Sequence, residues 1–233
     1  TKGHHSAMSI EASLNTDFPS GVVEPEYELW GEVDVDPAGL FEDVNAEDRV
    51  YWDRARKFGL DEVRPVIDEF WDKSDYPLDL AKRLGELDLL RDGLELEGYP
   101  QMSVLAAGLV NMELSRADGS VGTIAAVQAG LALRSITECG SPGQIAHWGP
   151  KLANAEVLGA FALTEPTHGS DSVSLETRAV RVAGGYRISG EKKWIGNGST
   201  GGITIVWARD EENKVRGFIV QQEWEGYTGT TIE

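Results

Sequence analysis

Near residue 155 the hydrophobic period of this chain changes, and nothing else in the sequence limits the fold as much. Before that point apolar residues recur every three to four positions, as on one face of an α-helix. After it they alternate, or run in short apolar bursts between glycine turns, as in strands. A run of helices followed by a run of strands argues for an α+β fold rather than alternating βαβ units. The expected parts are residues 1–45 as a tag remnant and an acidic irregular arm, 46–155 as an all-helical domain, and 156–233 as an antiparallel, barrel-like β-domain.

Within the helical half, 46–73 reads as a helix with Trp52, Ala55, Phe58, Val63, Val66 and Phe70 inward and Val50, Arg54, Lys57 and Asp61 on the other side. Pro65 should kink or split it, because proline has no N–H for the ladder and its ring clashes with the preceding turn. A second helix should start near Pro77, with Leu78, Leu80, Ala81, Leu84, Leu87 and Leu90 as its stripe, and Asp92–Pro100 reads as a loop. Residues 101–139 look like two packed helices broken at Asp118-Gly119-Ser120. Ser141 caps a further helix with Pro142 at its first position, and that helix is expected to end near Gly149-Pro150. Strands are expected over 157–163, 177–182, 185–189, 192–195, 203–209 and 217–222. Tyr27, Leu29 and Trp30 are the residues that could tie the acidic arm to the body.

Charge narrows the partners. With 39 acidic against 21 basic residues the net charge is −18, a field that repels nucleic acid and anionic membranes. An anionic ligand must therefore find a local basic or amide-lined pocket. No apolar run approaches the roughly 20 residues that span a bilayer, so no membrane insertion is expected. No charged N-terminus followed by an apolar core marks a signal peptide. Cys139 is the only cysteine, which excludes an internal disulfide framework and a thiolate metal cluster and fits a cytoplasmic protein. His4 and His5 lie among small polar residues before Met8, far from His147 and His168. They read as a tag remnant, and no metal site is expected.

Two stretches carry candidate chemistry. In the first, residues 161–171 (FALTEPTHGSD), an apolar strand ends at Thr164 and Pro166 forces Glu165 into an extended exit. If Gly169 takes an unusual backbone angle, the N–H groups of Gly169, Ser170 and Asp171 converge into a nest that suits a phosphate. Taken alone, the same residues read better as a strand, a proline corner and a capped turn. In the second, residues 192–198 (KKWIGNG), Trp194 offers a flat face to an aromatic ligand, or is a buried strand tryptophan before an Asn-Gly hairpin.

Together and in this order, the two stretches resemble the signatures of the acyl-CoA dehydrogenase family, a strand ending Thr-Glu-Pro, then Gly-Ser-Asp, and later Trp-Ile-Thr-Asn. Upstream, Glu113-Leu-Ser-Arg116-Ala-Asp118-Gly-Ser120 resembles the family's Glu-Leu-x-Arg-x-Asp-x-Ser, and Gly140-Ser141 resembles the start of its next short helix. The resemblance runs from about residue 45 to the chain end. It implies FAD as cofactor and an acyl-CoA thioester as substrate. By the same resemblance Phe161, Leu163 and Thr164 line the flavin, Gly169 and Ser170 approach the pyrophosphate, and Trp194, Ile195 and Gly196 lie beside the isoalloxazine. Ser170, Gly122 and Thr123 are the implied substrate contacts. The implied reaction is α,β-dehydrogenation to a trans-2-enoyl-CoA, in a homotetramer.

Two positions depart from the family pattern. The usual threonine whose hydroxyl bonds flavin N5 is Gly196 here, a Trp-Ile-Gly-Asn variant that resembles short-chain acyl-CoA oxidases. The acceptor is therefore an electron-transferring flavoprotein or oxygen. Glu176-Thr-Arg178, Val206-Trp-Ala-Arg209 and Arg216-Gly-Phe218 resemble glutaryl-CoA dehydrogenases, yet Gly122 stands where those enzymes place the arginine that holds the distal carboxylate. A buried carboxylate without that charge is costly, which favours an uncharged short acyl chain; Arg134 is an alternative partner, though it reads better as a solvated helix-end charge. The family's catalytic glutamate belongs to a C-terminal helical domain, and no residue up to Glu233 matches it. A non-catalytic flavin- or acyl-CoA-binding fragment, another flavin chemistry such as nitroalkane oxidation on the same fold, and a plain α+β protein are the competing readings.

Overall fold

A computed structural model describes residues 36–39, 41–75 and 77–231. Most of the acidic arm lies outside them, with Tyr27, Leu29, Trp30, His4 and His5. The chain divides into two units, Thr1–Asp43 and Val44–Glu233. In the first, the Asp36 carboxylate accepts the Phe41 N–H at 2.6 Å around a turn in which Gly39 has φ 66°. All helices and strands described below belong to the second.

Helix α1 (Ala46–Phe58) starts where the Asn45 side chain accepts the Asp48 N–H, with Glu47 and Asp48 in its first turn and Arg56 and Lys57 in its last, the arrangement that complements the helix dipole. It buries Tyr51, Trp52, Ala55 and Phe58 against α4 (Val104–Ala117). Pro65 does break the helix, through a π-turn: Gly59–Val63 is wound with one extra residue, and α2 (Arg64–Lys73) restarts with the proline in its first turn, where no N–H is required. The extra residue shifts the helical phase. Ile67 is therefore the buried position in α2 and Val66 is turned out, the reverse of what an uninterrupted period predicts. Helix α3 (Leu78–Glu86) begins after Pro77 and buries Ala81 and Leu84.

Asp118 ends α4 and caps α5 (Gly119–Ala125), its carboxylate accepting from Ser120 N and Val121 N at 2.8 and 3.1 Å. The second helix continues through a π-helical stretch, Ala126–Leu133, into α6 (Arg134–Cys139). Ser141 and Gln144 form a capping box at the start of α7 (Pro142–Ala153). This helix runs past the expected stop, because Pro150 falls near its end and removes only one ladder donor.

The strands are β1 (Gly159–Ala162), β2 (Arg178–Val182), β3 (Gly185–Ser189), β4 (Ile203–Arg209) and β5 (Val215–Gln221), in one sheet ordered β1-β4-β2-β3 with β5 also on β4. The helical-then-strand class stands, and the pairing is mixed rather than antiparallel throughout. β1 and β2 both run parallel to β4 (Gly159↔Ile203, Arg178↔Arg209), while β2–β3 and β4–β5 are antiparallel. As the shared partner, β4 is buried at Ile203, Thr204, Ile205 and Val206 in succession, which accounts for its unbroken apolar run. Residues 192–195 form no strand.

One core lies among the helices, around Phe58, Leu84, Leu90, Leu114 and Ile124. A second joins helices to sheet, with Leu133, Ile136 and Leu152 against Ile203, Ile205, Phe161 and Trp207. Fully buried Gln128, on the π-helical stretch, bolts the two layers together. Its amide donates to Leu152 O and Val157 O at 2.8 and 2.9 Å and its Oε1 accepts the Gly159 N–H at 2.7 Å, which fixes where β1 begins. Among the described residues, no helix is long and apolar enough to cross a membrane, and no group of three His, Cys, Asp or Glu side chains is placed to hold a metal.

Candidate functional site

The two stretches singled out in the sequence meet at the C-terminal end of β1. Phe161 sits on the helix-facing side of the strand, its ring 5.7 Å from that of Trp207. Leu163 and Thr164 follow, half-buried, as the strand runs out. The Thr164 carbonyl accepts the Lys193 N–H at 3.0 Å, so the Trp194 segment lies directly against the strand end.

Glu165 turns inward and is buried. Its carboxylate accepts from Glu176 N at 2.6 Å, Thr177 N at 2.9 Å, Thr177 Oγ1 at 2.6 Å and Lys192 Nζ at 2.9 Å. Lys192 Nζ also donates to Leu163 O at 3.0 Å. Burial by itself would raise the Glu165 pKa, but these donors outweigh it and hold the carboxyl at about 2. Burial lowers the Lys192 pKa, and the carboxylate only partly offsets that. The backbone then closes a tight turn, Glu165 N–H to His168 O at 3.0 Å and His168 N–H to Glu165 O at 3.3 Å. Gly169 and Ser170 emerge exposed beyond it. The turn does not use the backbone freedom of Gly169: left-handed residues occur instead at Trp194 (φ 63°) and Asn197 (φ 60°). A Cβ at Gly169 would meet nothing within 4 Å, so the segment is open on that side.

Two left-handed residues in four explain why 192–195 joins no ladder. Trp194 is neither a strand residue nor buried. The residue is 65% exposed, with the Lys193 ammonium 4.7 Å over the ring. A bulky residue at positive φ is held there only by its surroundings. Asn197 supplies much of that hold, donating from Nδ2 to Gly159 O at 2.9 Å while its own carbonyl accepts from Gln222 Nε2 at 2.7 Å and Thr200 Oγ1 at 3.0 Å. Tyr227 OH donates to Gly198 O at 2.7 Å and lies 2.9 Å from Thr204 Oγ1. Gly196 is exposed, and a Cβ there would touch Val127 Cγ2 at 3.4 Å, an ordinary contact. The loop therefore faces the π-helical stretch.

Phe161, Leu163, Thr164, Trp194, Ile195 and Gly196 thus lie on two adjoining segments, with Gly169 and Ser170 on the turn that follows the first. Thr123 is exposed on α5, its hydroxyl donating to Gly119 O at 2.8 Å. Gly122 is buried, and a Cβ there would come within 2.3 Å of Ser115 Oγ and 3.0 Å of Ser115 Cα, so the position allows the close approach of α4 and α5. An arginine at 122 would force those helices apart. Arg134, the alternative cation, is engaged by Asp92 at 3.0 Å and Glu138 at 3.8 Å. Sequence reasoning missed Gln128, Gln222 and Tyr227 altogether, and placed Lys192 and Asn197 in the second stretch without giving them a role. All act through partners at least 18 residues away.

Residues 45–156 match the family model described as acyl-CoA dehydrogenase, N-terminal domain, and 160–233 the one described as acyl-CoA dehydrogenase, middle domain. A 2-methylacyl-CoA dehydrogenase of Solanum tuberosum is 30% identical over 181 residues, 74% of this chain and 43% of that protein. An acyl-CoA dehydrogenase of Bacillus subtilis is 33% identical over 178 residues, 74% of this chain and 47% of that protein. The crystal structure of a glutaryl-CoA dehydrogenase from Mycobacterium smegmatis shares 37% identity and a TM-score of 0.78 over 84% of this chain and 50% of that one. A glutaryl-CoA dehydrogenase from the same organism in complex with FADH2 shares 31% identity and a TM-score of 0.78 over 82% of this chain and 49% of that one. The chain spans about half the length of the curated relatives it matches. With both family domains matched in order, from the first helix to the last strand, the chain belongs to the acyl-CoA dehydrogenase family.

Proposed function

We propose that this chain supplies the helical domain (46–155) and the β-domain (156–233) of an enzyme that oxidises a short, uncharged acyl-CoA thioester at Cα–Cβ with FAD. The observation that carries the reading is the exposed, left-handed Trp194 held beside the half-buried end of β1. An indole kept in a strained conformation and left open to solvent suits a flat aromatic ligand, and a flavin is such a ligand. The kinship with a glutaryl-CoA dehydrogenase in complex with FADH2 supports the same choice.

Within that reading Phe161, Leu163 and Thr164 line one edge of the flavin and Trp194, Ile195 and Gly196 its neighbour. Gly169 and Ser170 meet the pyrophosphate, with Ser170 and Thr123 near the thioester. Bound FAD would supply a two-electron acceptor. This chain's own residues hold and orient the ligands and keep water from the reacting carbons. Glu165 is excluded as the base that takes the α-proton: a carboxylate held at about 2 by four donors is too weakly basic and faces inward. By the family resemblance, the base belongs to the portion of the relatives that this chain does not span. An uncharged acyl chain is favoured because Gly122 has no room for an arginine and Arg134 is already paired. A homotetramer using an electron-transferring flavoprotein is the expected assembly. A second reading, direct use of oxygen in place of that flavoprotein, is favoured by Gly196, which brings no hydroxyl to the flavin edge.

The test is a visible absorption spectrum of the full-length protein, followed by anaerobic addition of butyryl-CoA or glutaryl-CoA. A flavin band bleached by butyryl-CoA and not by glutaryl-CoA is the expected outcome. A protein that neither carries nor takes up FAD overturns the reading. Reoxidation rates in air, with and without electron-transferring flavoprotein, separate dehydrogenase from oxidase.

A further inference from the structure

Among the exposed candidate contacts lies one buried ionic pair. The Glu165 side chain is 4% exposed and the Lys192 side chain 10%. Together they pin three backbone positions on two segments, and the residue after Lys192 pins a fourth. Glu165 holds Glu176 N and Thr177 N, Lys192 holds Leu163 O, and the next residue, Lys193, bonds Thr164 O. The pair sits immediately behind Leu163 and Thr164 on one segment and two residues before the left-handed Trp194 on the other.

Stability alone is a poor reason for such a pair. Apolar side chains of similar volume usually fill a buried site as well as an ion pair does, because both charges must first leave water. What an ion pair adds is direction. A carboxylate with four donors and an ammonium that also binds a carbonyl fix the segments to one another in a way that apolar packing does not. We infer that Glu165 and Lys192 are positioning residues for the ligand edge of the site. They set the spacing between the Leu163–Thr164 strand end and the Trp194 indole at the width a planar ring system requires, an inference that rests on the FAD reading above. Neither side chain touches the flavin; both act through the backbone they hold.

The experiment measures, in the full-length protein, the FAD Kd by fluorescence quenching, the visible circular dichroism of the bound flavin, and the melting temperature of the apoprotein. It compares Lys192→Met, Lys192→Arg and the core control Leu114→Ala. The expected result is that Lys192→Met weakens FAD binding about tenfold and alters the flavin dichroism. Lys192→Arg, which can still reach the carboxylate, should keep most of both. Leu114→Ala should lower the melting temperature and leave Kd and dichroism as in the wild type. If Lys192→Met does not fold, the double variant Glu165→Gln/Lys192→Met, which leaves no unpaired charge, replaces it and should show the same weakened binding. Wild-type Kd and dichroism in whichever of the two folds overturns the inference and leaves the flavin reading standing. A Leu114→Ala variant whose Kd rises in step with its lost stability also overturns it, by showing a merely structural role. A wild-type protein that binds no FAD overturns both.

Discussion

Two buried carboxylates, Glu113 in the helical layer and Glu165 at the end of β1, do similar chemistry to different ends. Glu113 accepts from the Trp52 indole at 2.7 Å and from Arg116 Nε, one helical turn on, at 2.9 Å. Its partners are side chains, so it ties α1 to α4 and leaves the backbone of both to their own ladders. Glu165 accepts two backbone N–H groups, a hydroxyl and a distant lysine. No helix or ladder organises the segments it joins, and the carboxylate itself sets their geometry. A polar group buried within regular structure braces packing. The same group buried where regular structure ends determines the shape of a loop, and in this molecule those loops carry the candidate site.

The sharpest way to break the comparison is to remove each carboxylate. Glu165→Ala strands the Lys192 ammonium and two backbone donors in a buried site, and should cost about 3–5 kcal/mol, the range for a buried ion pair with one partner deleted. Glu113→Ala removes the carboxylate that accepts the Trp52 indole N–H, while Arg116, 19% exposed, can turn toward water; about 1.5–3 kcal/mol is expected. Denaturant unfolding of both variants gives the order, and a larger loss at Glu113 would refute it. Acid supplies the next test. Because folding depresses the Glu165 pKa from 4.5 to about 2, its stabilisation is complete above about 4.5 and disappears as pH falls through about 2. Glu165→Ala should therefore flatten that acid limb of the stability–pH curve; an unchanged limb would assign it to other carboxylates.

The same contrast explains what could be read in advance. The helical layer was legible because its signals are local. The break at Asp118-Gly119-Ser120 and the start at Ser141 with Pro142 fall where the structure has them, and the apolar period finds Trp52, Ala55 and Phe58. Leu78, expected in the stripe of α3, is exposed at the start of that helix. The phase error in α2, Val66 for Ile67, comes from a π-turn, whose extra residue leaves no trace beyond Pro65. Five of the six expected strands are present, all but 192–195, and the hairpin of 177–182 with 185–189 was legible too; the parallel pairing was not, since β1 joins β4 across about 40 residues of intervening chain. At the site, the sequence motifs locate the two segments but not what holds them. Lys192 and Glu165 are 27 residues apart, and a lysine in Lys-Lys-Trp reads as an ordinary surface charge until the fold buries it.

The smallest effects compare two glycines. At Gly122, between α4 and α5, an added methyl would lie 2.3 Å from Ser115 Oγ and 3.0 Å from its Cα. Only the hydroxyl can rotate away, so Gly122→Ala should cost about 1–3 kcal/mol, as overpacked helix contacts do. At Gly169, beyond the Glu165 turn, the added methyl meets nothing within 4 Å and the backbone is not left-handed. Gly169→Ala should leave stability unchanged or raise it by up to about 1 kcal/mol, by restricting the unfolded chain. Its effect should appear in binding, because a methyl group on an open turn obstructs only a ligand that approaches the backbone closely. An FAD Kd raised in Gly169→Ala at undiminished stability would therefore locate the cofactor on this turn without invoking the fold. An unchanged Kd would move the pyrophosphate contact away from Gly169, while the Trp194 side of the proposal would stand on its own evidence.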